Sequence, residues 1–107
     1  MYRSPEDIKS LFELTIHSII DHSKNTGGLT PCETKIVEKL RESEIKVEEQ
    51  LMHLFEAPMD NNDFRDILKR TLRSVVDSVI EQAKKEGVIT PHEQETLDIV
   101  INKLNIQ

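Results

Sequence analysis

Gly27-Gly28-Leu29-Thr30-Pro31-Cys32-Glu33 reads GGLTPCE, and sixty residues later Gly87-Val88-Ile89-Thr90-Pro91-His92-Glu93 reads GVITPHE. Each residue type in this pattern has a local physical job. Threonine before proline suits a helix N-cap, because its hydroxyl accepts a bond from a free backbone N–H. Proline suits the first helical position, where a missing N–H costs nothing. Glutamate three residues after the cap can reach back to the cap amide and complete a capping box. Glycine three residues before the threonine supplies the left-handed residue that ends the preceding helix. The pattern is therefore a stop followed by a start. Leu29 and Ile89 are expected to turn inward and pin the corner.

Sliding the chain on itself by sixty residues extends the match. Lys9/Lys69, Ser18/Ser78, Ile20/Ile80, Lys24/Lys84, Gly27/Gly87, Thr30/Thr90, Pro31/Pro91 and Glu33/Glu93 coincide without a gap. Close swaps such as Ile16/Val76, Ile19/Val79, Asp21/Glu81 and Leu29/Ile89 fill the register. This predicts a duplicated helical hairpin. Two copies are too few for a solenoid, which needs about three.

The flanking segments carry helical periodicity. Phe64, Ile67, Leu68, Leu72, Val75, Val76, Val79, Ile80 and Ala83 step by three and four, forming one apolar stripe on an amphipathic helix. Ile8, Leu11, Phe12, Ile16, Ile19 and Ile20 repeat it earlier in the chain. Many are β-branched, but strands alternate at two and are short. From Pro31, the residues Val37, Leu40, Val47, Leu51 and Leu54 predict a long second helix to about Phe55, with Glu44 interrupting its stripe. Leu97, Val100, Ile101 and Leu104 predict a shorter last helix from Pro91. Pro58 breaks the chain between hairpins, with Asp60, Asn61 or Asn62 as the next cap, and Ser4-Pro5-Glu6-Asp7 is a third helix start.

The expected fold is all-α: one domain over residues 1–107, an antiparallel four-helix bundle of two pseudo-twofold hairpins, 5–55 and 62–105. The second helix is expected to outlast its neighbours, leaving Ile45, Met52 and Phe55 for a second chain, with Leu51 and Leu54 as nearer-core support. A homodimer is the expected assembly.

Composition narrows the function. Apolar residues make up 36% of the chain, aromatics only Tyr2, Phe12, Phe55 and Phe64, so the core is aliphatic. Net charge is −6. Up to Glu56 there are 7 Lys/Arg against 11 Asp/Glu, and after it 7 against 9. Two acidic halves argue against nonspecific nucleic-acid binding and against anionic membranes. The single cysteine, Cys32, excludes an intrachain disulfide. MYRSPEDIKS lacks the basic start and apolar run of a signal peptide, so a cytoplasmic location is expected.

Gly27 to Glu33 and Gly87 to Glu93 resemble the second half of an EF-hand calcium loop, with Gly, an apolar residue and Glu at the sixth, eighth and twelfth places. The resemblance covers seven residues per copy and implies a helical-hairpin scaffold. The first, third and fifth places depart from it, being His22, Lys24 and Thr26, then Gln82, Lys84 and Glu86. Those places want carboxylates or amides, so the resemblance does not extend to calcium chemistry.

The leading functional expectation is a non-enzymatic protein–protein interaction, regulatory or structural subunit acting through an apolar helix seam. No G-x-S-x-G, phosphate-cradling loop or H-E-x-x-H occurs. His17 and His53 read as boundary histidines, and no cofactor is expected. Two alternatives have named residues. Cys32 and His92 occupy equivalent places, with His22 one turn before the first corner, so these three are candidate zinc ligands or redox sensors. A thiol in a helix's first turn also favours the thiolate. Close ligand pairs of the C-x-x-C type are lacking. Arg65, Lys69, Arg70 and Arg73 form a basic stripe for a nucleic-acid-associated regulator, although charge pairing with the acidic second helix is the simpler reading.

Overall fold

The computed structural model describes residues 4–105. Tyr2 and the outermost residues of the 1–107 span lie outside the described residues. Four helices follow: α1 (Pro5–Lys24), α2 (Pro31–Phe55), α3 (Asn61–Lys85) and α4 (Pro91–Leu104). No strand occurs among the described residues.

Each helix begins as its local chemistry dictates. Ser4 caps α1, accepting from the Asp7 amide. Thr30 and Thr90 cap α2 and α4, each within a complete capping box closed by Glu33 or Glu93. Asp60 caps α3 by accepting from the Asn62 amide at 2.7 Å. Gly27 and Gly87 take φ of 98° and 115° just after the helix ends, a region closed to most side chains. Leu29 is only partly covered, at 38% exposed, while Ile89 packs against the core.

Short connections make successive helices run antiparallel. Packing closes a ring, α1 on α2, α2 on α3, α3 on α4 and α4 on α1, with α2–α4 the lesser diagonal. The resulting bundle measures 47 × 23 × 21 Å. The core is aliphatic, centred on Ile8, Phe12, Ile19, Ile36, Leu40, Leu68, Leu72 and Val79, which are fully or almost fully buried. At about 25 cal/mol per Å², such side chains contribute roughly 1.5–3 kcal/mol each.

The second helix does not outlast its neighbours, because α3 has the same 25 residues. The apolar stripe of α3 begins at Phe64, which pairs with the far end of α2. Phe55 therefore points inward and meets Phe64, with ring centroids 5.8 Å apart. Ile45 and Met52 do remain outside, 59% and 65% exposed.

Candidate functional site

The α1–α2 and α3–α4 corners lie side by side at one end of the bundle. Their capping glutamates do more than cap. Glu33 is fully buried. Its Oε1 accepts from the Thr30 amide at 3.0 Å. Its Oε2 accepts from the Thr96 hydroxyl at 2.6 Å and from the Ser23 hydroxyl at 3.0 Å, and lies 3.0 Å from His92 Nε2. Burial pushes the carboxyl upward, but the Thr30 amide, the two hydroxyls and the His92 charge outweigh it and hold Glu33 below the ordinary carboxylate value. Glu33 is thus an ionised carboxylate in the core, satisfied from three helices.

The proton inventory around His92 settles its tautomer. The Thr26 hydroxyl lies 3.1 Å from His92 Nε2 and gives its own hydrogen to the Ser23 carbonyl at 3.1 Å. Its oxygen can then only accept from the ring. Glu33 Oε2, ionised, can also only accept. Nε2 therefore carries the proton and shares it between the two, and in the neutral ring the lone pair falls on Nδ1.

His22 stacks on His92, with ring centroids 4.4 Å apart and planes 15° from parallel. Its Nε2 is buried without a hydrogen-bond partner. Glu95 Oε2 lies 3.3 Å away, close enough for an ion pair but off the line a hydrogen bond needs. His22, His92 and Glu95 each offer a donor atom, and all three lie within 4.8 Å of one another.

Glu93 sits in a different setting. The Thr90 amide lowers its carboxyl most, burial opposes, and the Thr90 and Thr30 hydroxyls and the Cys32 thiol add to the lowering. Thr30 Oγ1 crosses the corner to donate to Glu93 Oε2 at 3.1 Å. Cys32 is buried, and burial, followed by the charge of Glu93, pushes its thiol up to about 11. It faces Glu93 as a protonated donor. The helix N-terminus does not produce the thiolate that its position suggested, because burial first, and then the adjacent carboxylates, outweigh it.

Of the three ligand candidates, the structure brings His22 and His92 into contact, and Glu95 takes the place expected of Cys32. The EF-hand likeness ends at the local turn, since α1 runs through His22 to Lys24 and both glutamates are engaged as caps. The basic stripe is split. Lys69 and Arg73 line an α3–α4 groove of about 460 Å³ with Val76, Ile80, Ile101 and Leu104. Arg70 instead lines an α2–α3 groove of about 330 Å³ beside Lys39 and Lys46, and Arg65 is half-buried. His17 and His53 are exposed.

Sequence reasoning missed Ser23, Thr26, Glu95 and Thr96. A signal for two of them existed. At the sixty-residue offset Ser23 stands opposite Ala83, and Thr96 opposite Ile36. Polar residues at stripe positions whose counterparts are apolar mark a buried acceptor nearby.

No helix among the described residues is long and apolar enough to cross a membrane. No protein-family model matches the chain, and neither a curated protein nor a solved structure matches it.

Proposed function

We propose that this chain is a non-enzymatic interaction subunit that self-associates through the outer face of α2, each hairpin being a copy of one ancestral unit. The observation that carries the reading is the pair Ile45 and Met52, 59% and 65% exposed on an otherwise polar helix face. They are seven residues apart, two helical turns, and so lie above one another. A two-fold contact is self-complementary. An antiparallel α2–α2 pair centred between Glu48 and Glu49 sets Ile45 against Met52 of a second copy. The same register sets exposed Arg41 against exposed Glu56, a pairing of opposite charge that favours another copy of this chain as occupant. At the axis Glu48 of one copy meets Glu49 of the other, and with a net charge of −6 on each copy repulsion outweighs the Arg41–Glu56 attraction, so salt should tighten the contact by screening. Phe55 supports the seam from beneath through Phe64.

Light-scattering mass after size exclusion tests this directly. The expected result is a dimer whose dissociation constant falls as salt rises. Ile45→Lys and Met52→Lys should each give a folded monomer. A wild-type monomer at all accessible concentrations, or a dimer unaffected by both substitutions, overturns the reading.

A further inference from the structure

The corner carries a second property, independent of self-association. We propose that His22, His92 and Glu95 form a binding site for a divalent transition-metal ion of the zinc class, with Glu33 as the buried carboxylate that orients His92.

Three observations converge on it. The first is donor geometry. A tetrahedral zinc with bonds of about 2.1 Å holds its ligand atoms roughly 3.4 Å apart. His22 Nε2 and Glu95 Oε2 already lie 3.3 Å apart, and one ring nitrogen of His92 completes a trio within 4.8 Å. The rings stack nearly parallel, and an imidazole lone pair lies in its ring plane, so closure requires partly exposed His22 to turn out of the stack and exposed Glu95 to follow it. The second is an unpartnered buried nitrogen. His22 Nε2 is buried and makes no hydrogen bond, a situation that costs free energy unless something engages it. The third is the orienting carboxylate. Histidines that ligate metals donate their other ring N–H to a carboxylate or carbonyl, which sets the tautomer and raises ligand basicity. His92 Nε2–H does this to Glu33 and leaves Nδ1 as its donor atom. Glu33 in turn is anchored by Thr30, Ser23 and Thr96.

The donor set states the ligand class. Two imidazoles and one carboxylate suit zinc, cobalt or nickel rather than magnesium or calcium, which want oxygen. Three protein ligands leave a position for water. His22 belongs to α1, and His92 and Glu95 to α4, so an ion here clips the two hairpins together. At the sixty-residue offset the same trio reads Gln82, Cys32 and Lys35, which puts an amide in place of one imidazole and a cation in place of the carboxylate. The site thus belongs to one side of the duplicated corner.

The test uses the untagged full chain, with thermal unfolding followed by circular dichroism in zinc chloride or in magnesium chloride. Zinc should raise the melting temperature, and magnesium should leave it unchanged. Glu95→Gln, a change at an exposed side chain, should lower zinc affinity at least about tenfold. His22→Gln should abolish the shift. A control carrying His17→Gln and His53→Gln, both exposed and remote, should keep it. Nitrogen-detected NMR of the apo protein should show His92 as the Nε2–H tautomer, and zinc should perturb its Nδ1. Absence of a zinc shift, its survival in both Glu95→Gln and His22→Gln, its loss in the control, or an Nδ1–H tautomer at His92 overturns the proposal.

Discussion

Glu33 and Thr96 are 63 positions apart and are joined by a 2.6 Å hydrogen bond. This bond ties the N-terminal turn of α2 to the second turn of α4, inside the core. It turns a capping glutamate, whose role is local, into the tie between hairpins. The sixty-residue offset pairs Glu33 with Glu93, yet the partners differ: Ser23, Thr96 and His92 for the former stand against Ala83, Ile36 and Cys32 for the latter. Glu33 sits in a cage of two hydroxyls and an imidazole, whereas Glu93 is held by the Thr90 amide, the Thr30 hydroxyl and the Cys32 thiol.

The two glutamates should therefore differ in their contribution to stability. Glu33→Gln removes the charge that four donors address and presents an amide N–H₂ to hydroxyls that need an acceptor. Bonds to a buried charge contribute about 1.5–3 kcal/mol each, and unsatisfied donors add to the loss. The expected cost is about 3 kcal/mol for Glu33→Gln and about 1 kcal/mol for Glu93→Gln, read from urea unfolding. Equal costs would mean that the cage around Glu33 adds nothing to its cap.

Thr30 joins two tasks. Its oxygen accepts from the Glu33 amide at 3.1 Å, and its hydrogen goes to Glu93. Thr30→Ala and Thr90→Ala should each lose about 1 kcal/mol of capping. Only Thr30→Ala should couple with a change at the opposite glutamate. A double-mutant cycle of Thr30→Ala with Glu93→Gln should show about 0.5–1 kcal/mol of coupling, and one of Thr90→Ala with Glu33→Gln close to none.

Cys32 predicts an alkaline limb of the stability curve. Its thiol is raised from 9.0 to about 11 in the folded chain. Between those values the folded state holds a proton that the unfolded state has lost, so stability falls as pH rises. The contribution is complete below pH 9.0 and is lost by about pH 11, an order of about 2–3 kcal/mol. Cys32→Ala should flatten that limb. The same protonated, buried thiol should react slowly with a thiol reagent at neutral pH until the chain unfolds. Rapid labelling of native protein would restore the redox-sensor reading.

Glu44 follows the same linkage at lower pH. Burial, then the charges of Glu48 and Glu13, raise its carboxyl above the ordinary value against the pull of Lys9 and Arg41. A raised acid binds its proton more readily when folded, so its penalty applies at neutral pH and is relieved as pH falls toward 4.5. Glu44→Gln should stabilise the protein at pH 7, by less than about 1 kcal/mol because solvent still reaches the site. The gain should vanish in acid. A loss of stability at pH 7 would show that Glu44 makes a favourable contact there.

The amino-acid order by itself determined whatever is settled within four or five residues. Threonine, proline and glutamate place a helix start, glycine permits the preceding stop, and the three-four spacing of Ile, Leu and Val assigns a buried face. Those interactions span one helical turn, so the helix boundaries, the caps at Ser4, Thr30 and Thr90 and most of the core were legible. The start of α3 after Asp60 was legible as well; what was misjudged is that α3 matches α2 in length and covers its far end. Only the tertiary structure decided which helix ends meet. That meeting sets Thr96 on Glu33, sets Thr26 beside His92 across 66 positions, replaces Cys32 by Glu95 beside the histidines, and turns Phe55 inward onto Phe64. Bonds of that kind depend on how four amphipathic surfaces pack around one core. No short stretch of chain encodes that packing.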